Sequence, residues 1–312
     1  PSPFPPPLPP SPPPSPPPPP GRPSFTKEGL EAAVQAYDAN PASATEMYGP
    51  IAEWDVSLIF DMSWLFYKLD RFNADISNWR TSGVTTMESM FYKAESFNQP
   101  LTFDTSSVTT MEEMFKEATV FNQPLSMDTS SVTTMEEMFK EAKAFNQPLS
   151  FDTSRVTNMD TMFYRAKAFN QPLSFDTSRV TDMRAMLRGA RAFNQPVNFD
   201  TSRVTNMLEM FKDLNYFNQP LHFNTSRVTT MEEMFEKAYH FNQPVNFDTS
   251  LVTNMDEMFE EAKRFNQPVN FDTSRVTIMG EMFRMAKAFN QPLSFDVSSV
   301  TNFEDMFIEA NA

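Results

Sequence analysis

The chain has 312 residues and a formal net charge of −15, from 40 acidic and 25 basic side chains. This acidic balance argues against nucleic-acid binding and against docking on anionic lipid, because both need a basic surface. The absence of cysteine excludes a disulfide framework and a cysteine metal site. No apolar run approaches the roughly 18 residues of a membrane span. Because the sequence starts at Pro1 rather than methionine, we expect a processed product or a segment of a longer chain.

Residues 1–23 are predicted to form a proline-rich extended tail. Positions 1–20 are nearly all proline, interrupted mainly by serine. Such a run adopts polyproline II at about 3.1 Å per residue and has few backbone donors, so it does not fold by itself. The serines Ser2, Ser11 and Ser15 lie in Ser-Pro-Pro-Pro contexts or similar ones and are candidate O-glycosylation sites.

Residues 24–53 are predicted to form an N-terminal helical cap. Leu30, Ala33, Val34 and Tyr37 recur at helical spacing. Ser24 and Thr26 are both suitable N-caps, and the Asn-Pro pair at 40–41 is typical of a helix end. We expect this segment to cover the first copy of the repeat that begins at residue 54.

From residue 54 to residue 312 the sequence repeats every 24 residues. The motif Phe-Asn-Gln-Pro begins at Phe97, Phe121, Phe145, Phe169, Phe193, Phe217, Phe241, Phe265 and Phe289. With a divergent first copy, this predicts eleven repeats, the last one incomplete. Strict periodicity in this range is typical of stacked supersecondary units, each of which relies on its neighbours for stability.

Each copy contains two hydrophobic patterns. Met111, Met114, Phe115, Ala118 and Phe121 share one face of a helix. Thr110 and its mostly polar equivalents are N-cap types, and Asn122 occupies the predicted C-terminal position. Leu101 and Phe103 alternate like a short strand, and with Val108 they complete the predicted core. The fold class predicted from these patterns is an α/β solenoid, a leucine-rich-repeat-like stack of strand-turn-helix coils with one parallel sheet.

The repeat unit also resembles a known family. Its residues are Trp54-Asp55-Val56-Ser57, Phe72-Asn73-Ala74-Asp75-Ile76-Ser77 and the unit Phe-Asn-Gln-Pro-Leu-Ser-Phe-Asp-Thr-Ser-x-Val-Thr-x-Met-x-x-Met-Phe. These resemble the repeats of mycoplasma surface lipoproteins, which are grouped with BspA-type leucine-rich repeats and are common in unicellular algae. The resemblance implies a surface or secreted location, an interaction role and no catalysis. Separately, residues 1–20 resemble the extensin-like tracts of plant and algal walls, in which prolines are hydroxylated and glycosylated.

The residues give little support to an enzyme. The histidines are His222 and His240, each at a position that other copies fill with other residue types. There is no recurring nucleophile with a base, and no Gly-rich phosphate loop. We therefore predict no catalytic, cofactor-binding or metal site.

An aspartate recurs in nearly every copy and leaves two interpretations open. The row is Asp104, Asp128, Asp152, Asp176, Asp200, Asp248, Asp272 and Asp296. Stacking would bring neighbouring carboxylates about 4.8 Å apart, where they repel. A calcium ladder would offset this repulsion. Alternatively, each carboxylate accepts hydrogen bonds from its own turn, which Asn224 in the same slot could also do.

The outward positions of the predicted strands form a polar ribbon. It consists of Thr102, Ser126, Ser150, Ser174, Asn198, His222, Asn246, Asn270 and Ser294. Such a ribbon could carry glycans, bind polysaccharide, bind ice or face solvent. Asn224 begins the N-glycosylation sequon Asn-Thr-Ser.

These observations lead to two main functional hypotheses. The first is an extracellular structural scaffold, glycosylated and self-assembling head to tail into a fibre, wall or surface appendage. Its self-association end would be Phe303, Met306 and Phe307, which lie on the apolar side of the last copy. The second is a monomeric cell-surface adhesion module that binds a glycan or protein; ice binding is a weaker third. The expected partners are further copies of the chain and glycans, with no nucleic acid and no membrane span.

Overall fold

The computed structural model describes residues 24–310. Two helices come first, α1 (Lys27–Ala39) and α2 (Pro41–Tyr48), followed by a short 3-10 turn at Ile51–Glu53. The Thr26 hydroxyl accepts the Gly29 N–H at 3.2 Å and begins α1. Leu30, Ala33 and Val34 are fully buried against the first coil. The predicted tail over residues 1–23 lies outside the described residues.

The remainder of the described chain consists of stacked coils, each bridged to the next. A ladder of single parallel bridges runs through the coils at equivalent positions. Its members are Asp61, Thr86, Thr110, Thr134, Asn158, Asp182, Asn206, Thr230, Asn254, Ile278 and Asn302. Between residues 54 and 310 there is no helix, and no strand extends beyond an isolated bridge. The predicted α/β solenoid, with a leucine-rich-repeat-like sheet flanked by helices, is therefore wrong.

Overlapping turns replace the predicted helix of each coil. The N–H groups of Met114 and Ala118 donate to carbonyls three residues earlier, those of Met111 and Phe115. The intervening N–H groups of Glu113 and Phe115 donate instead to Glu136 and Met138 in the next coil, both at 2.9 Å. Glu113 and Glu117 have left-handed φ angles of 55° and 56°. Half of the donors thus leave the segment, so an α-helix cannot form.

The spacing of the coils explains why turns replace helices. Phe115 and Phe139 occupy the same position in adjacent coils, and their ring centroids are 5.7 Å apart with planes within 5°. Packed α-helices need about 8–10 Å between their axes. A helix in every coil would force these rings apart, whereas the flat turn ribbon lets them stack.

The predicted capping residues make their hydrogen bonds in turns. The Thr110 hydroxyl accepts the Glu112 N–H at 3.3 Å, and the Asn158 side chain accepts the Asp160 N–H at 2.9 Å. Short polar side chains make this local bond at helix starts and in turns alike. The sequence signal was real, but it did not distinguish between these two structures.

The core prediction is confirmed. Leu101, Phe103 and Val108 are buried, as are Met111, Met114, Phe115, Ala118 and Phe121. Phenylalanine stacks extend along the interior, and Leu187 replaces the ring in one coil while remaining fully buried. Methionine fills the space beside these stacks, as its flexible side chain allows.

The Phe-Asn-Gln-Pro motif joins neighbouring coils through its amides. The Asn146 side-chain oxygen accepts the Asn170 N–H at 2.9 Å, and the Gln171 side-chain amide donates to the Asn146 carbonyl at 3.2 Å. The same arrangement recurs from Asn73 to Asn290. The prediction that Asn122 ends a helix is therefore wrong, because its side chain belongs to this asparagine ladder.

Candidate functional site

The polar ribbon predicted from the sequence is exposed along its whole length. All nine residues from Thr102 to Ser294 lie on the surface of the described coils. Thr102 donates its hydroxyl to the Ser77 carbonyl at 2.8 Å. The ribbon therefore presents small polar groups at one-coil intervals.

The aspartate row caps its own turns. Asp128 accepts both the N–H and the hydroxyl of Ser130 through one carboxylate oxygen, at 2.9 and 2.6 Å. These bonds hold the pKa of Asp128 below its usual value, although the neighbouring Asp152 opposes the shift. Asn224 accepts the corresponding bonds from Ser226. The geometry favours turn capping over a calcium ladder, because the amide performs the same task without charge.

Asn224 and His222 are both exposed in the coil that contains the sequon. His240 differs, because its Nδ1 lies 2.6 Å from the Asn215 carbonyl and its ring packs 5.4 Å from Tyr216. The two histidines therefore do not share a site. The candidate O-glycosylation sites Ser2, Ser11 and Ser15 lie outside the described residues.

The turn side of the coils carries a buried ion-pair network that the sequence analysis did not identify. Glu233, Glu236 and Glu257 have carboxylate oxygens within 4.8 Å of one another, as do Glu257, Glu260 and Glu281. Lys212 contacts both Glu233 and Glu236. The ammonium therefore occupies the place that a cation would take among these carboxylates.

The pKa values of two buried carboxyls in this network are shifted in opposite directions. Burial raises the pKa of Glu260 to about 7, with further contributions from a hydrogen bond with Glu257 and the charge of Glu236, and these outweigh the opposing charges of Lys237 and of Arg284, which contacts Glu260. Burial also opposes ionisation of Glu236, but Lys212 and Lys237 more than offset it and lower the Glu236 pKa. The network therefore holds an ionised carboxylate beside one that titrates near neutrality.

The predicted self-association residues differ in burial. Met306 is 9% exposed, whereas Phe303 and Phe307 are 48% and 49% exposed. They line an apolar groove of about 620 Å³ together with Leu293 and Phe295. Phe307 stacks on Phe283 at 5.8 Å, so this face has the same construction as the faces that internal coils bury.

Two further surface features were missed from the sequence. Trp64, Tyr67 and Tyr92 form an aromatic cluster near the first coils, with the Trp64 and Tyr67 rings 5.1 Å apart. A row of basic and aromatic side chains also follows one corner of the coils. It comprises Lys143, Lys167, Arg191, Tyr216, Tyr239, His240, Lys263, Arg264 and Lys287, and we call it the basic ridge. A comparison of equivalent positions between copies would have found it.

These features define a tandem-repeat protein of stacked coils whose surface is organised in rows. The family DUF285, described as a Mycoplasma protein of unknown function, matches residues 35–127, 101–176, 173–247 and 245–312. The chain belongs to this family, in agreement with its resemblance to mycoplasma-type repeats. A comparison with curated proteins found no match. Within the described chain, the two helices are too short or too polar to span a bilayer.

Proposed function

We propose that this chain is a non-catalytic scaffold displayed outside the cell, which presents rows of side chains to partners at fixed intervals. The observation that carries the proposal is the register of the coils. Asparagine side chains accept the N–H of the equivalent asparagine one coil away, threonine hydroxyls donate to a backbone carbonyl of the next coil, and phenylalanine rings stack on the equivalent ring. A partner with a repeating structure would meet the same groups at every step.

The buried threonines show how firmly this register is fixed. Thr153 is 1% exposed and donates its hydroxyl to the Asp176 carbonyl at 3.0 Å. Its equivalents make the same bond from Thr81 to Thr273. A slip of one coil against the next would leave these buried groups unpaired, at a cost of about 1–3 kcal/mol each.

Display outside the cell is tested on intact cells of the source organism. Antibody raised against the full chain should label cells that have not been permeabilised, and external protease should remove the label. A signal that appears only after permeabilisation would overturn the extracellular part of the proposal. Mass spectrometry of the native protein would test glycosylation at Asn224, Ser2, Ser11 and Ser15 in the same material.

Self-association is a second candidate, favoured by the exposed apolar groove around Phe303 and Phe307. Burying such side chains contributes about 1.5–3 kcal/mol each, so a second copy docked there would be stabilised. Repeated head-to-tail contacts of this kind give filaments. Analytical ultracentrifugation of the full chain should show assembly that rises with concentration and is lost in Phe303→Glu/Phe307→Glu.

The control for that experiment is Val120→Glu/Leu251→Glu. These two side chains are also exposed and apolar, but they lie in other coils away from the groove. The control should assemble like the natural chain. A natural chain that stays monomeric at high concentration would contradict self-association and leave the display proposal standing.

A further inference from the structure

The coils are nearly identical at most positions, but they carry different side chains along the basic ridge. Its residues occupy the two positions just before the Phe-Asn-Gln-Pro motif. Backbone bonds align them, because the Ala168 N–H donates to the Lys143 carbonyl at 3.2 Å and the Ala192 N–H donates to the Lys167 carbonyl at 3.3 Å. Lys143, Lys167 and Arg191 therefore lie in line on three adjacent coils.

The ridge is cationic within an acidic protein. From residue 143 to residue 288, none of these paired positions carries an acidic side chain. Residues 156–203, which include Lys167 and Arg191, hold seven basic and four acidic side chains, whereas the whole chain has a charge of −15. Lys143, Lys167 and Arg191 are exposed. Their charges are available to an anion.

A notch opens beside the ridge at Gly189. It has a volume of about 390 Å³ and is lined by four cations, Lys143, Arg165, Lys167 and Arg191, and by two carboxylates, Glu141 and Asp213. Glu141 lies 3.5 Å from Arg165, so these two charges offset each other. The remaining charges of the notch are the cations Lys143, Lys167 and Arg191 against the single carboxylate Asp213.

The glycine is not required by the backbone. Gly189 has a φ of 68°, but its equivalents Glu117 and Glu141 adopt φ angles of 56° with full side chains. The absence of a side chain at Gly189 leaves free volume next to Arg165, because a Cβ at position 189 would lie 3.0 Å from the Arg165 Cγ. The missing side chain opens the notch at the most basic part of the array.

Aromatic rings continue the ridge towards higher residue numbers. Tyr216 is 61% exposed and packs against His240 at 5.4 Å. The Lys263 ammonium lies 4.0 Å from the centre of the Tyr239 ring. Such rings combine a flat apolar face with a polar tip, which suits ligands that have both apolar and hydroxylated surfaces.

We propose that the basic ridge binds an acidic polysaccharide, laid along the coils with its carboxylate or sulfate groups against Lys143, Lys167 and Arg191. This inference adds a ligand class to the display function proposed above. It depends on that proposal only for the place where the protein encounters the ligand, outside the cell. A linear polymer with regularly spaced charges matches cations that repeat once per coil, and its sugar rings match the tyrosines.

A nucleic acid fits the ridge less well. The ridge is about one or two side chains wide, and the adjoining positions include Glu141, Asp213 and Glu261. A polynucleotide carries a much denser charge and binds to broad basic surfaces. The overall charge of −15 would repel it at long range.

The binding experiment uses the full chain and polygalacturonate, with the same polymer after methyl esterification as the uncharged probe. We expect calorimetry in 50 mM NaCl to show binding to polygalacturonate at least about tenfold tighter than to the ester. The affinity should fall about tenfold or more in 300 mM NaCl, because exposed charges are screened. Equal affinity for the two polymers, or no binding to either, would overturn the inference.

Two sets of substitutions locate the site. Lys143→Ala/Lys167→Ala/Arg191→Ala should weaken binding about tenfold, since each exposed ion pair contributes a factor of about two to five. Arg155→Ala/Arg179→Ala/Arg203→Ala removes the same charge from the same coils at another exposed edge, and should change the affinity less than about twofold. Equal losses in the two triple variants would show that only the overall charge matters and would overturn the inference.

Gly189→Glu tests the notch itself. Glutamate occupies this position in other coils with the same backbone conformation, so we expect the fold to be preserved. The added carboxylate should weaken polygalacturonate binding several-fold. Tighter binding of single-stranded oligothymidylate with the same number of charges would assign the ridge to nucleic acid instead. None of these results depends on cell-surface labelling, so the display function and the ridge can fail separately.

Discussion

Adjacent coils are joined differently on the Phe-Asn-Gln-Pro side and on the turn side. On the first, Asn146 and Gln171 bond directly to the adjacent coils, and the motif is the same in copy after copy. On the second, backbone bonds join every pair of coils, ion pairs such as Lys212–Glu233 are added in some coils, and exposed side chains such as Lys167 and Tyr239 vary. Positions whose side chains make the same bond between every pair of coils are therefore uniform, and exposed positions outside that ladder are free to vary.

The difference shows where each kind of function can arise. Uniform rows give the array its register, and a change in one coil disturbs its neighbours. Varied positions can change one at a time, so the chain can build a local surface such as the basic ridge without weakening the stack. Substitutions on the two sides should therefore differ in their effect on the free energy of unfolding.

The largest effect is expected in the phenylalanine stack between the two sides. Phe163 is fully buried and lies 4.2 Å from Phe169 and 5.6 Å from Phe139, measured between ring centroids. Phe163→Ala should lower the free energy of unfolding by about 3–5 kcal/mol, because it leaves a cavity between coils. Urea denaturation followed by circular dichroism measures this. Phe163→Leu should cost only about 1–2 kcal/mol, since Leu187 already occupies the equivalent place.

Asn146→Ala is expected to lower the free energy of unfolding by about 1–3 kcal/mol. The substitution removes the acceptor of the Asn170 N–H and one partner of the Gln171 side chain. Asn146→Asp keeps an oxygen at that position and should cost less. If the two variants are equally stable in urea, the side-chain ladder does not determine the register.

The turn side should show a pH dependence centred on Glu260. Its pKa is raised to about 7, whereas an unfolded glutamate titrates near 4.3. Between these values the folded state holds a proton that the unfolded state has released. Stability is therefore highest below about pH 4.3 for this group, and is lost as pH rises towards 7, by on the order of 3–4 kcal/mol at about 1.4 kcal/mol per pKa unit.

Glu260→Gln should reduce that loss, because the amide does not ionise. The comparison is the urea midpoint of the natural and variant chains at pH 5 and pH 7.5. Glu304→Gln, at an exposed position, controls for removal of one carboxyl. The same slope in the Glu260→Gln and natural chains would show that Glu260 ionises normally. The aspartate row has lowered pKa values, so its carboxyls titrate below the range from pH 5 to pH 7.5 and do not contribute to this comparison.

Ser174→Ala should have the smallest effect, under about 0.5 kcal/mol. Ser174 is exposed on the polar ribbon, and substitutions of this kind away from special features are nearly neutral. A cost similar to that of Asn146→Ala would show that the ribbon also joins coils. Thermal unfolding of the two variants side by side gives the comparison.

The sequence by itself determined the 24-residue period, the buried residues and α1. Each depends on which side chains recur and how far apart they are, and Met111, Phe115 and Phe121 point inward whatever the local backbone does. It also marked Thr110 and Asn158 as residues that cap a neighbouring N–H. These properties are local or strictly periodic, so one sequence contains them.

The tertiary structure alone decided between a helix and a turn ribbon. Spacing of apolar residues by three and four fits both, because the left-handed residues Glu113 and Glu117 carry no distinctive side chain. The choice depends on hydrogen bonds to a coil 24 residues away and on phenylalanine rings that stack 5.7 Å apart, too close for adjacent helices. The residues of the basic ridge can be found from equivalent positions of the repeat, but only the stacking of coils shows that Lys143, Lys167 and Arg191 form one exposed line.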